Sequence, residues 1–285
     1  MTSTPKQNVY VSGLPRSGST LMCQLLGHHP DVYSIVHSSP LCQILEQTRQ
    51  TVSDNPFFLS QLDVDFETVN ARLLNVYRGL LRSWFEETDK PIVVDKNRDW
   101  VRMVEMLNLL DPNFRMVVCI RDLKQIFGSI EQQHRRTRLI DFPDHMAPHS
   151  ALGRSKALFK EDGVVGGPLR AIENMQDIDD EQLRLQTCYV PFECLVREPE
   201  KVMGLVFQWL GLEPPPIDFT SLTVTQTESD SHYRFKYPHT QFTAILDARE
   251  HFVPERVSLF IDSQCRWFYE WFYQNGPKPM LPGLE

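Results

Sequence analysis

One segment, VYVSGLPRSGSTLMCQLLGHHP over residues 9–30, restricts the possible folds of this chain more than any other. A β-branched run from Val9 to Val11 stops at Gly13. A loop of Gly, Pro, Arg, Ser and Thr follows, and then apolar residues at helical spacing, Leu21, Met22, Leu25 and Leu26. The pattern predicts a strand, an anion-binding loop and a helix N-terminus. N–H groups left over at a helix start, together with the helix dipole, favour a phosphate or sulfate there. Gly13 and Gly18 allow a close backbone approach, Arg16 offers a planar fork of donors, and Ser17, Ser19 and Thr20 add hydroxyls. The plainer alternative is a Gly/Ser turn with no ligand.

The Gly13-x-x-x-x-Gly18 spacing matches the phosphate loop of nucleotide hydrolases, but that motif continues with Lys and then Ser or Thr. Here Ser19 takes the Lys position, and the loop's cation is Arg16. An ATP-hydrolysing reading is weakened at the residue it most needs. PRSGSTLM followed by HHPDV instead resembles the 5′-phosphosulfate loop of the sulfotransferases, and most of all the tyrosylprotein sulfotransferase branch and its bacterial relatives. The resemblance implies 3′-phosphoadenosine 5′-phosphosulfate (PAPS) as donor and 3′-phosphoadenosine 5′-phosphate (PAP) as product. It also implies Arg16, Ser17, Gly18, Ser19 and Thr20 as part of the binding site. It covers most of the chain in order, strongly over 9–37, moderately over 91–130 and 190–210, and weakly elsewhere.

Runs at 9–12, 32–36, 91–95, 115–120 and 187–192 read as strands. They alternate with helical patterns at 20–28, 40–51, 66–86, 99–110, 123–136, 169–177, 198–210 and 255–273. This is an α/β chain with a P-loop-type parallel sheet flanked by helices, read as a single sulfotransferase domain over 1–285. Two variable segments interrupt it, at about 139–167 and 221–240. The first four strands are followed by Arg16, His37, Lys96 and Arg121, and ligands of open α/β sheets bind at the carboxyl ends of strands. The aromatic stretch 255–273 reads as a dimer face or acceptor wall, or more plainly as a C-terminal helix packed on the sheet. A homodimer is compatible with the first reading.

In VVCIRDLKQIFGSI, residues 117–130, a strand-end Arg121 precedes a helical Ser129. The resemblance makes these two the 3′-phosphate site; otherwise Arg121 pairs with Asp122 or Glu131. His37 stands where the tyrosylprotein branch has its catalytic Glu. An imidazole with an ordinary pKa near 6.5 can accept a hydroxyl proton at neutral pH, as in the cytosolic sulfotransferases. A loop histidine without a role is the alternative. Lys96 follows the run ending at Asp95, and the resemblance makes it the partner of the leaving group's bridging oxygen. The alternatives are a solvated lysine, or Asp95 as a magnesium ligand of a nucleotide kinase. A non-catalytic nucleotide-binding protein is a further rival. Phe192 stands where the family usually has Tyr, and Glu193 reads as structural. His134, Arg135, Arg136 and Arg138 read as a clamp on the adenosine end, an attractor for an anionic acceptor, or a solvated helix end. Residues 228–236 sit where the family closes a segment over PAPS.

The formal charge of −8 argues against general nucleic-acid binding or an anionic membrane surface. Six scattered cysteines show no metal-ligand spacing, so no metal is expected, and they suit a reducing compartment. The N-terminus carries no apolar signal core and no run is long enough to span a bilayer. The expected location is therefore cytoplasmic. The acceptor is read as a small molecule or peptide bearing a hydroxyl, or less readily an amine.

Overall fold

Five apolar runs form one all-parallel sheet: β1 (Gln7–Gly13), β2 (Val32–Ser34), β3 (Ile92–Lys96), β4 (Arg115–Ile120) and β5 (Thr187–Pro191), in the order β2-β3-β1-β4-β5. The expected strands are all present. The computed structural model describes residues 6–136, 149–223, 228–229, 238–239, 243–245 and 250–283. The helices are α1 (Ser19–Leu26), α2 (Leu41–Ser53), α3 (Pro56–Val64), α4 (Phe66–Ser83), α5 (Val104–Leu110), α6 (Leu123–Arg136) and α7 (Ala151–Phe159). They continue as α8 (Gly166–Gln176), α9 (Glu181–Gln186), α10 (Phe192–Arg197), α11 (Pro199–Trp209), α12 (Glu255–Gln264) and α13 (Arg266–Phe272). Two residues each of β6 (Glu228–Ser229) and β7 (Pro238–His239) pair antiparallel.

Alternation along each strand sends side chains to two faces. Val9, Val11, Val94, Val117, Cys119, Cys188 and Val190 meet Leu21, Leu25, Val206 and Phe207 on one face, under α1, α10 and α11. Tyr10, Met116, Val118 and Ile120 meet Trp100, Leu107, Phe127, Ile172 and Phe268 on the other. Both faces are covered, which is why the strands read as near-continuous apolar runs. The six cysteines are buried free thiols. Among the described residues no helix is long and apolar enough to cross a membrane.

Several helical expectations need correction. The 99–110 pattern divides into a 3₁₀ turn, Arg98–Arg102, and α5, because Asn97 accepts from the Asp99 N–H at 3.0 Å and tightens the start. The 255–273 pattern divides at Cys265, whose φ of −121° and ψ of 32° are not helical. Phe268 and Phe272 from that stretch are buried in the core, so it packs on the sheet. The variable segment 139–167 holds α7, capped by Ser150, whose hydroxyl accepts from the Gly153 N–H at 3.2 Å, and the start of α8. Residues 137–148, which include Arg138 and the start of that segment, and most of 221–240 lie outside the described residues. Helices α3, α9 and α10 replace stretches that the periodicity left unassigned.

Candidate active site

The strand order puts β1 in the middle, with β3 and β4 on its flanks. The three ends are nearly level, since Val11 pairs with Lys96 and Gly13 with Cys119. The loop after β1 thus lies between the end of β3 and the start of the β4–α6 connection, as ligand sites of open α/β sheets do.

The loop is held in a special conformation. Gly13 has φ of 120°, and a Cβ there would run into the Cys119 carbonyl, so this glycine serves the fit against β4. Gly18 is the N-cap of α1, in the left-handed region with φ of 87°, and as glycine it offers no capping side chain. An anion at this turn would meet the N–H groups of the first helical turn. A Cβ on Gly18 would come within 2.5 Å of the Phe192 ring. Arg16 has φ of 61°, a conformation that L-residues adopt at a cost. The Ser17 hydroxyl donates to the Leu14 carbonyl at 2.5 Å, so it braces the loop and does not face outward.

Arg16, Arg121 and Ser129 converge. Arg16 Nε donates to Ser129 Oγ at 3.1 Å, and Arg121 Nη1 donates to the Arg16 carbonyl at 3.0 Å. Arg121 and Ser129 are both buried. The Arg121 guanidinium lies over the Phe192 ring, 4.6 Å from its centre. Its Nε is buried with no hydrogen-bond partner among the described residues. Burial pulls the Arg121 pKa below the ordinary arginine value; Glu193 opposes this and Arg16 adds to it. An orphaned donor and two adjoining guanidiniums make this corner cationic, with the Glu193 and Asp122 carboxylates beside Arg121 offsetting part of the charge. Glu131 is not the partner of Arg121. It is held by Arg154, whose Nη2 and Nε reach its two oxygens at 2.5 and 2.9 Å in a buried pair.

Glu193 fixes the strand end. It accepts from the Asp122 N–H at 3.0 Å and from the Tyr273 hydroxyl at 3.0 Å, which ties α13 to the residue after Arg121. On α6, Gln125 exchanges hydrogen bonds with the His251 backbone, receiving its N–H at 2.7 Å. A Cβ on Gly128 would collide with His251, so the 250–253 segment lies directly on the turn that carries Ser129.

Lys96, the last residue of β3, is buried and donates to Thr20 Oγ1 at 3.1 Å. It is not a solvated lysine. Asp95 points to the opposite face of the sheet, where Trp100 Nε1 donates to it at 2.7 Å. Burial raises its pKa to about 6 against the lowering effect of hydrogen bonds from Ser39 and Trp100. Asp95 is thus turned away from the Lys96 side of the sheet, and the magnesium-ligand reading loses its residue. Among the described residues no three His, Cys, Asp or Glu side chains cluster as a metal site.

His37 is half-buried in the loop after β2. Two residues on, the Ser39 N–H donates to the Lys96 carbonyl at 2.9 Å, and Asn97 Nδ2 donates to the Ser39 carbonyl at 2.6 Å. The His37 loop is therefore stitched to the end of β3 beside Lys96. Ser19 opens α1 and is half-buried. In the basic cluster, His134 is buried and Arg135 pairs with Glu131 at 3.6 Å. The contributions of Phe192, Gln125 and Tyr273 escaped the sequence reading. They arise from contacts across the fold, Gln125 with the His251 backbone and Tyr273 with Glu193, which no local pattern carries.

The sequence model of the sulfotransferase family matches residues 8–216. The chain belongs to the sulfotransferase family, and sulfuryl transfer is the activity that this membership supports. Among solved structures, the sulfotransferase domain from the curacin biosynthetic pathway is 15% identical, with a TM-score of 0.52 over 92% of this chain and 98% of that one. A sulfotransferase from Alicyclobacillus acidocaldarius is 14% identical, with a TM-score of 0.49 over 78% of this chain and 87% of that one. The first likeness supports the sulfotransferase fold expected from the resemblance. No curated protein sequence matches the chain.

Proposed function

We propose that this protein is a single-domain PAPS-dependent sulfotransferase acting on a hydroxyl of a small molecule or peptide. The reading is carried by the convergence of Arg16, Arg121 and Ser129, with a buried Arg121 Nε left for a ligand oxygen. PAPS, when bound, supplies a sulfuryl group activated by its bond to the 5′-phosphate of the 3′,5′-bisphosphate. Arg121 and Ser129 hold the 3′-phosphate. The first turn of α1, with Arg16, Gly18, Ser19 and Thr20, holds the phosphosulfate end. Ser17 contributes by bracing the loop. Lys96 and Arg16 stabilise negative charge that develops on the leaving oxygen. His37 takes the proton from the acceptor hydroxyl. Six buried free thiols favour a reducing, cytoplasmic setting.

Titration calorimetry with PAP and with adenosine 5′-monophosphate tests the reading. Loss of a charge-assisted contact costs about 1.5–3 kcal/mol, so Arg121→Ala weakens PAP binding by that amount and leaves the monophosphate nearly unchanged. Equal losses for both ligands would refute the 3′-phosphate assignment. In a sulfate-transfer assay, His37→Gln lowers turnover by about 10²–10⁴ with PAP affinity kept within a few-fold. Near wild-type turnover of that variant would place the base elsewhere.

A further inference from the structure

A second concave site lies apart from the residues above. A cavity of about 680 Å³ opens beside the edge strand β5, between α8, α9 and the strap at 278–282. None of Arg16, His37, Lys96, Arg121 or Ser129 lines it. Thr187, at the amino end of β5, does, whereas the carboxyl end at Pro191 pairs with Ile120 next to Arg121. The cavity therefore sits toward the far end of β5 from the anion loop. Its volume falls within the range of ligand pockets, which are mostly apolar with a few placed polar groups.

Three features define what it takes. Met175, Ile178, Leu183 and the half-exposed Trp271 give it an apolar body. Among the described residues its charged lining residues are Arg184 and Lys278, with no Asp or Glu, although the chain carries 37 acidic residues against 29 basic ones. Arg184 pairs with Asp179 at 3.1 Å, but both side chains are largely exposed, and such pairs are worth only about 0–1 kcal/mol. The cation is thus available to a ligand. The wall is preformed: Met280 and Tyr189 exchange both backbone hydrogen bonds, each at 2.9 Å, which fastens the strap to β5. Pro277, Pro279 and Pro282 stiffen the same strap. A preformed wall lowers the ordering cost of binding.

We propose that this cavity binds an amphipathic monoanion, its apolar body against Met175, Leu183 and Trp271 and its anionic head between Arg184 and Lys278. Titration calorimetry with decanoate, decanol and decyltrimethylammonium, matched in chain length, tests the assignment. Decanoate binds most tightly and the ammonium compound least. The exposed double variant Arg184→Glu/Lys278→Glu weakens decanoate by about tenfold or more, with PAP affinity unchanged. Ile178→Trp, which fills a partly exposed lining position, abolishes decanoate binding and leaves PAP binding intact. Equal affinity for the three amphiphiles, indifference to the charge reversal, or displacement of decanoate by PAP would overturn the proposal. So would a dimer in sedimentation that Ile178→Trp dissociates, which would give the cavity to a second copy of the chain. PAP binding is read separately, so these outcomes are independent of the donor-site reading.

Discussion

Replacing Gly18 by Ala tests how the anion loop is shaped. Gly18 has φ of 87°, and a Cβ there would approach the Phe192 ring to 2.5 Å. The left-handed backbone costs an L-residue about 1–2 kcal/mol. Forcing a methyl into packed space adds about 1–3 kcal/mol. Gly18→Ala should therefore lose about 2–5 kcal/mol, which for a chain of this size lowers Tm by about 4–10 °C. The two costs separate in a double-mutant cycle with Phe192→Ala, followed by thermal unfolding under circular dichroism. Phe192→Ala alone should lose about 3–5 kcal/mol as a buried aromatic truncation. In that background the methyl meets no ring and Gly18→Ala should cost only the backbone part, so the coupling is about 1–3 kcal/mol. Because Phe192 also lies under the Arg121 guanidinium, Gly18→Ala should weaken PAP as well. An equal cost in both backgrounds would refute the ring contact, and no cost in either would refute the left-handed turn.

Asp95→Asn should change how stability depends on pH. The folded pKa near 6 lies above the unfolded value near 3.9, so the folded state binds the proton more tightly and wild-type stability falls as pH rises from about 4 to about 6. Melting curves from pH 4 to 7 should show the variant gaining on wild type by about 2–3 kcal/mol; parallel curves would contradict a buried, raised carboxyl. Arg154→Ala leaves Glu131 charged and buried, which should cost about 3–5 kcal/mol. The paired change Glu131→Leu with Arg154→Met should recover most of that in urea unfolding, and failure to recover would assign the loss to packing. Sulfate transfer should persist in excess chelator, because the loop lacks the Lys-Ser/Thr pair that serves magnesium; complete, metal-reversible loss would return the kinase reading.

The sheet was legible because buried parallel strands carry unbroken apolar runs, as Val117 to Ile120 does. The loop between β1 and α1 was legible because its residues are consecutive. Lys96 and Arg121 were visible as cations at strand ends, and Ser129 entered only through the family resemblance. The contacts that shape them were not visible. Arg16 reaches Ser129 across 113 residues of chain, and Tyr273 reaches Glu193 across 80. No local pattern encodes those pairings. Phe192 reads from sequence only as a departure from the family's usual Tyr, whereas its ring fills a place that only glycine leaves open at position 18. Helix α7 was missed although its signal was present, because Ser150 precedes a run whose apolar residues alternate with Gly, Arg and Lys. The break at Cys265 interrupts an aromatic pattern that reads as continuous.

Arg16 is the one described non-glycine residue with a positive φ. Strain of this kind costs about 1–3 kcal/mol and persists only where the surroundings enforce it. A library sorted purely for heat resistance should therefore enrich Gly or Asn at position 16, since both accept that backbone more readily. Each such winner would lack the guanidinium that meets Ser129. Selection for robustness and selection for anion capture pull this one position in opposite directions, and a thermostabilised descendant that keeps its arginine must have found its gains elsewhere.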